Sequence, residues 1–122
     1  MAVMTKVVRL LCAAVFLGFG TMKFAAHASE VRSFTGYGIP QPRLVVPALG
    51  LLELAGGLLL LAGRLVRPVA LALSGVMVGA IATSGIAHQE IISLTLAPAM
   101  LLGLLFLLST PDPPPPGDAP LR

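Results

Sequence analysis

Cysteine is nearly missing from this chain: Cys12 is the only one among 122 residues. No disulfide can close within the chain and no C-x-x-C pair exists, so dithiol chemistry is excluded and any redox role needs a borrowed electron carrier. Charge is scarce as well. Asp, Glu, Lys and Arg fill 11% of positions, where a soluble domain carries about a quarter, and hydrophobic residues fill 57%. Such a composition belongs in a lipid bilayer. There is no G-x-S-x-G, no phosphate-binding glycine loop and no H-E-x-x-H, so no catalytic residue and no metal site is expected. His27 and His88, with Glu30 and Glu90 near them, match no metal-ligand spacing and read as solvated turn residues. The net charge of +3 comes from single cations at the ends of apolar runs. No basic face is formed, which argues against nucleic acid as a partner.

What the chain does have is four apolar runs, at residues 7–26, 44–62, 68–86 and 91–108, each near the about 20 residues that cross a hydrocarbon core. The sequence therefore predicts an all-α membrane protein. Its four transmembrane helices form a bundle with short loops, one domain over residues 1–110. A disordered proline-rich tail follows over 111–122, with four consecutive prolines at 113–116. The first run has a rival reading as a secretory signal, with Lys6 and Arg9 as its basic region and Ala26-His27-Ala28 as the cleavage site. Residues 28–43 are polar and carry Gly36, Gly38, Pro40 and Pro42, so a loop is expected there, lying along the interface through Phe34 and Tyr37. The tight basic turn Gly63-Arg64-Leu65-Val66-Arg67-Pro68 makes the second and third spans an antiparallel hairpin. Pro98 should kink the fourth span and free the Leu94 carbonyl, with Thr95 to compensate.

An even number of spans puts both termini on one side. Lys6, Arg9, Arg64, Arg67 and Arg122 lie on that side, against Lys23, Arg32 and Arg43 on the other. The excess favours cytoplasmic termini. Arg9 is expected to snorkel to the headgroups and Arg64 and Arg67 to act as orientation signals.

One ionisable residue lies at membrane depth. Glu53 interrupts the second span, and a carboxyl group there is costly enough to be a functional-site candidate in its own right. Gly50 and Gly57 stand one turn to either side, which leaves room for a partner helix or a flat ligand. Gly75 and Gly79 form a G-x-x-x-G face on the third span, which the hairpin should set opposite Glu53. Lys23 is the obvious cationic partner, but counting residues from the outer ends of the spans leaves the two at depths differing by about 10 Å. Without that partner, desolvation favours a neutral acid that donates a hydrogen bond. The candidate ligand-binding set is thus Glu53, Lys23, Gly50, Gly57, Gly75 and Gly79. Such a site can hold a quinone carbonyl or pass a proton. The structural alternative is that Glu53 only hydrogen-bonds a neighbour and fixes helix packing. A small-solute or proton pathway needs a continuous polar lining, and near Glu53 the spans offer only Ser74 and Thr83.

Arg9 early in the first span, Gly20-Thr-Met-Lys23 at its end, Phe34 before Gly38-Ile-Pro40, Glu53-Leu-Ala-Gly-Gly-Leu-Leu-Leu-Leu in the second span and Met77-Val-Gly-Ala in the third come in a telling order. Together they resemble the DoxX and DoxX-like family of small bacterial membrane proteins, over residues 7–108. The resemblance implies a multi-pass protein of the bacterial inner membrane in a redox setting, since family members are associated with a thiosulfate:quinone oxidoreductase and with complexes that handle thiol and oxidative stress. It implies an accessory or anchoring subunit without independent catalysis. Its expected partners are the bilayer, an oxidoreductase protein and further copies of the chain, and its expected cofactor is a quinone, not covalently bound. Two departures stand out. Some DoxX-like sequences have a histidine at the end of the third span, where this chain has Thr83-Ser84-Gly85, and the proline-rich tail is outside the shared pattern. The alternative function is a structural or assembly protein with no chemistry of its own.

Overall fold

The computed structural model describes residues 2–86, 88–89 and 91–110, and at 86, 92 and 93 the backbone alone. The proline-rich tail lies outside the described residues. Five helices follow one another: α1 Ala2–Ala25, α2 His27–Gly36, α3 Pro42–Ala62, α4 Val66–Ala80 and α5 Ile91–Ser109, with α4 prolonged by a π-helical turn, Ile81–Ile86. The segments Ala2–Ala25, Pro42–Ala62 and Val66–Gly85 are long and apolar enough to cross a membrane, and a shorter apolar helix, Leu94–Ser109, joins them. This is an all-α membrane protein.

The helices associate as two antiparallel pairs, α1 with α3 and α4 with α5, joined through lighter contacts of α1 with α5 and α3 with α4. Each of the four long helices buries one stripe, and α2 buries none of its residues fully. Cys12, Ala13, Phe16, Gly20 and Lys23 turn inward on α1, and Val46, Gly50, Glu53, Gly56, Gly57 and Leu60 on α3. These spacings of three and four residues are one helical face. The core closes on Phe16, Leu60, Leu73, Leu104 and Leu107, all fully buried, while Leu51, Leu58, Leu71 and Leu102 stand exposed. In lipid those leucines are already in an apolar solvent, so close packing rather than the hydrophobic effect must hold the bundle. Small residues supply it. A Cβ on Gly57 would lie 2.8 Å from Leu17 Cγ and 3.2 Å from the Ala13 carbonyl oxygen, and Cys12 Sγ packs over Gly103 of α5.

The helix ends show what the terminal arginines do. Gly63 adopts a left-handed conformation (φ 73°) and closes α3 with N–H bonds from Gly63 to Leu60 and from Arg64 to Leu59, the paired arrangement that such a cap permits. Arg9 Nη1 donates to the Leu60 and Leu61 carbonyls of the same end, the latter at 3.0 Å. Arg67 Nη1 repeats the device on the other pair, donating at 3.0 Å to Leu108 and Thr110 at the end of α5. Arg9 therefore does not simply snorkel, as expected from sequence. Both arginines reach the last carbonyls of a helix, Arg9 adding a second donor at Leu60, and place positive charge at negative dipole ends. We expect Arg9→Met to lower the unfolding free energy by about 1–2 kcal/mol and to speed hydrogen exchange at the Gly63 and Arg64 amides. Unchanged exchange there would show that Gly63 caps α3 alone.

Two further expectations need correction. Residues 28–43 are not a loop throughout: α2 occupies His27–Gly36, and its backbone bonds follow α1 with only Ala26 as a break, Glu30 N–H donating to the Ala26 carbonyl. Near the cluster of glycines and prolines, helical spacing is easily overlooked. On α5, the helix runs on through Pro98, and the Thr95 hydroxyl donates to the Ile91 carbonyl rather than to Leu94. A threonine hydroxyl reaches back four residues, never to its own neighbour.

Candidate functional site

At the end of the bundle away from Arg9 and Arg67, the first charged group met inside the protein is the Lys23 ammonium. Nζ lies 2.9 Å from Glu53 Oε1, with the two side chains only 10% and 2% exposed. The sequence placed them too far apart because it took α1 and α3 to start level. They do not. Gly50, not the top of α3, stands across from Lys23: a Cβ there would lie 3.0 Å from Lys23 Cβ. Residues 42–49 precede that level on α3, the helix against which α2 packs. From Gly50 to Glu53 is a rise of about 4.5 Å, which a lysine spans. Glu53 thus has the cationic partner whose absence would have favoured the neutral acid.

The ammonium sits between two aromatic rings, 5.9 Å from the centroid of Phe19 and 5.9 Å from that of Phe34. Both are within cation–π range. Yet Glu53 Oε1, fully buried, has no partner at hydrogen-bonding angles, and the buried Ser74 Oγ has none either. The ion pair thus rests on charge and proximity more than on an aligned hydrogen bond.

Above the pair lies a cavity of ≈ 610 Å³. Its lower wall is Lys23, Glu53, Phe19 and Met77, its upper wall Glu30, Ser33, Phe34 and Tyr37 of α2, and its far side Gly79, Thr83 and Ser84. The π-helical turn forms that far side. Thr83 and Ser84 return their hydroxyl protons to the carbonyls of Gly79 and Ala80, at 2.7 and 2.8 Å, which supports a widened turn whose backbone bonds are shifted. His88 lies against Tyr37, with ring centroids 5.5 Å apart and planes tilted by 47°.

The glycines divide differently from the sequence reading. Gly50 and Gly57 face α1, filled by Lys23, Phe24 and Leu17, so they make room for a helix and not for a ligand. Gly79 lines the cavity with Glu53. Gly75 does not, and a Cβ on Gly75 or Gly79 would meet nothing within 4 Å. Among the described residues no helix packs on the G-x-x-x-G face. Hairpin topology sets two helices side by side but leaves their rotation free, and α4 turns Leu73, Ser74 and Met77 inward instead.

Glu30, Ser33, Phe34 and Tyr37 were missed as site residues, although their spacing of i, i+3, i+4 and i+7 marks one helix face. Phe19 lies one turn before Lys23, a neighbouring pair on α1.

The pattern of the DoxX family matches residues 4–89, from the start of α1 to the turn before α5. The chain belongs to the DoxX family. Comparison with curated proteins and with solved structures returned no match. In this DoxX protein the matched segment contains Lys23, Glu53 and the α2 wall of the cavity, while α5 falls outside it.

Proposed function

We propose that this DoxX protein is an accessory subunit of a membrane redox system, which anchors an oxidoreductase and holds the head group of a quinone in the cavity above Lys23 and Glu53. One observation carries the reading: a buried amine and a buried carboxylate, 2.9 Å apart, line an aromatic-walled cavity of ≈ 610 Å³. That volume is in the range of about 300–1,000 Å³ typical of cofactor sites. The residues fit the group. Phe19, Phe34 and Tyr37 offer flat apolar surface, Lys23 Nζ offers protons to a carbonyl oxygen, and Glu53 Oε1 accepts from a hydroxyl. A bound quinone would supply two-electron, two-proton exchange, for which a chain with a single, buried cysteine has no side-chain couple of its own. The protein's part is to orient the head group, to exclude water below it and to keep a proton donor and acceptor at its oxygens. The chain is read as lying in a bacterial inner membrane. Arg9 at the end of α3 and Arg67 at the end of α5 place the start of α1 and the end of α5 at the same end of the bundle, and the charge excess there supports a cytoplasmic position.

In membranes containing the complex, Glu53→Gln is expected to lower quinone-dependent turnover per inserted protein by about 10–100-fold, more than any fall in abundance from leaving Lys23 without its counter-charge. Turnover at the parental level would overturn the reading. A second reading has its own support, because the ion pair also ties α1 to α3 between Gly20 and Gly50. As an assembly device alone, the pair predicts that Glu53→Gln, which keeps a hydrogen-bond acceptor beside Lys23, lowers abundance less than Glu53→Leu, with turnover per inserted protein unchanged.

A further inference from the structure

A second cleft, of ≈ 440 Å³, lies on the opposite face of α2 and shares no residue with the cavity above Glu53. It is lined by His27, Ala28, Val31, Arg32 and Arg43. Every ionisable lining group is basic. Among the described residues none of the three takes part in an ion pair, although Glu30 is only two residues from Arg32 in sequence; it faces the other cavity. The helix is two-sided in a way its length alone would not require: positions 27, 28, 31 and 32 face the cleft while 30, 33, 34 and 37 face the cavity. Arg43 is the second residue of α3, a 21-residue helix whose N-cap, Gln41, contributes no side-chain hydrogen bond. Two guanidiniums, Arg32 of α2 and Arg43 of α3, lining one cleft suit a planar or tetrahedral oxoanion, which they can engage with paired N–H donors.

We propose that the cleft between α2 and the start of α3 is a binding site for a phosphate-type oxoanion. Its height suits a lipid headgroup, since α1 ends at Ala25 and α3 begins at Pro42 on either side of it. A free anion from the aqueous phase carries the same chemistry. The site does not depend on the quinone reading, because its ligand touches neither Lys23 nor Glu53.

The test uses the full chain in neutral detergent, with phosphatidylglycerol and phosphatidylcholine as lipid probes read by native mass spectrometry. A parallel arm titrates inorganic phosphate against chloride at equal ionic strength and reads thermal unfolding. Arg32→Gln/Arg43→Gln is expected to weaken phosphatidylglycerol binding on the order of 30-fold and to leave phosphatidylcholine binding unchanged. Each single Gln variant is expected at on the order of fivefold, so the result does not rest on the double variant's folding, and Arg32→Lys/Arg43→Lys should retain most of the affinity. Phosphatidylglycerol binding that falls in this way assigns the site to lipid. Protection by inorganic phosphate that disappears in the Gln variants, with no lipid preference, assigns it to a free anion. Phosphatidylglycerol affinity that survives the substitutions, together with no phosphate protection, overturns the proposal.

Discussion

Lys23→Met should lower the unfolding free energy of this DoxX protein by about 3–5 kcal/mol, and Lys23→Met/Glu53→Leu should recover most of that loss. The expectation rests on where the pair sits. Both side chains are buried, with Nζ and Oε1 2.9 Å apart, and removing one partner leaves the other charged group in an apolar surround with nothing to offset its desolvation. Removing both substitutes ordinary packing, and the net worth of a buried pair against apolar residues of similar size is small. Cation–π contact with Phe19 and Phe34 adds a further increment specific to the ammonium, on the order of 1–2 kcal/mol. The measurement is reversible unfolding in mixed lipid–detergent micelles for the parent, both single variants and the double. A Lys23→Met protein as stable as the parent would show that the ion pair contributes nothing to the bundle. The double variant carries the functional information. If it folds as the parent does and the redox complex loses quinone-dependent turnover, the charges serve the ligand rather than the fold.

Much of the architecture can be read in the sequence because the bilayer imposes it. Length and hydropathy mark the spans, and Glu53 announces itself because a carboxyl group among leucines has few reasons to be there. What hydropathy does not encode is rotation and height. Rotation decided the glycines: Gly50 and Gly57 receive α1 while Gly75 meets nothing, and in lipid an outward glycine costs no exposed apolar surface, so both arrangements fit one sequence pattern. Height decided Lys23. The end of a span is judged from where polarity begins, yet α3 starts about two turns before the level of Lys23, and α2 packs against that helix. The upper wall of the cavity was hidden for the same reason. Phe34 and Tyr37 were seen as interfacial aromatics, and only a helical α2 brings them, with Glu30, over the amine.

That dependence of the site on the approach of α1 to α3 makes Gly20 the position where a single methyl group should matter most. A Cβ there would lie 2.9 Å from the Leu54 nitrogen and 3.0 Å from the Gly50 carbonyl oxygen, as well as 2.7 Å from Leu54 Cγ. Two of these three atoms are backbone of a neighbouring helix and cannot turn aside, so Gly20→Ala must push α1 and α3 apart, at an expected cost of about 1–3 kcal/mol. Gly57→Ala meets mainly the Leu17 side chain, which has other rotamers, and should cost less. Gly18→Ala and Gly75→Ala meet nothing within 4 Å. They should be neutral, or stabilising by up to about 1 kcal/mol through helix propensity. The ordering, read by thermal unfolding of the four alanine variants, tests the close α1–α3 packing directly. Lys23 lies one turn from Gly20, so helices forced apart there would also stretch the ion pair, and Gly20→Ala should weaken ligand retention in the cavity without touching any residue that lines it. If Gly20→Ala proves as stable as Gly18→Ala, the two helices do not meet as closely as described, and the cavity floor loses the support that places the amine beside the acid.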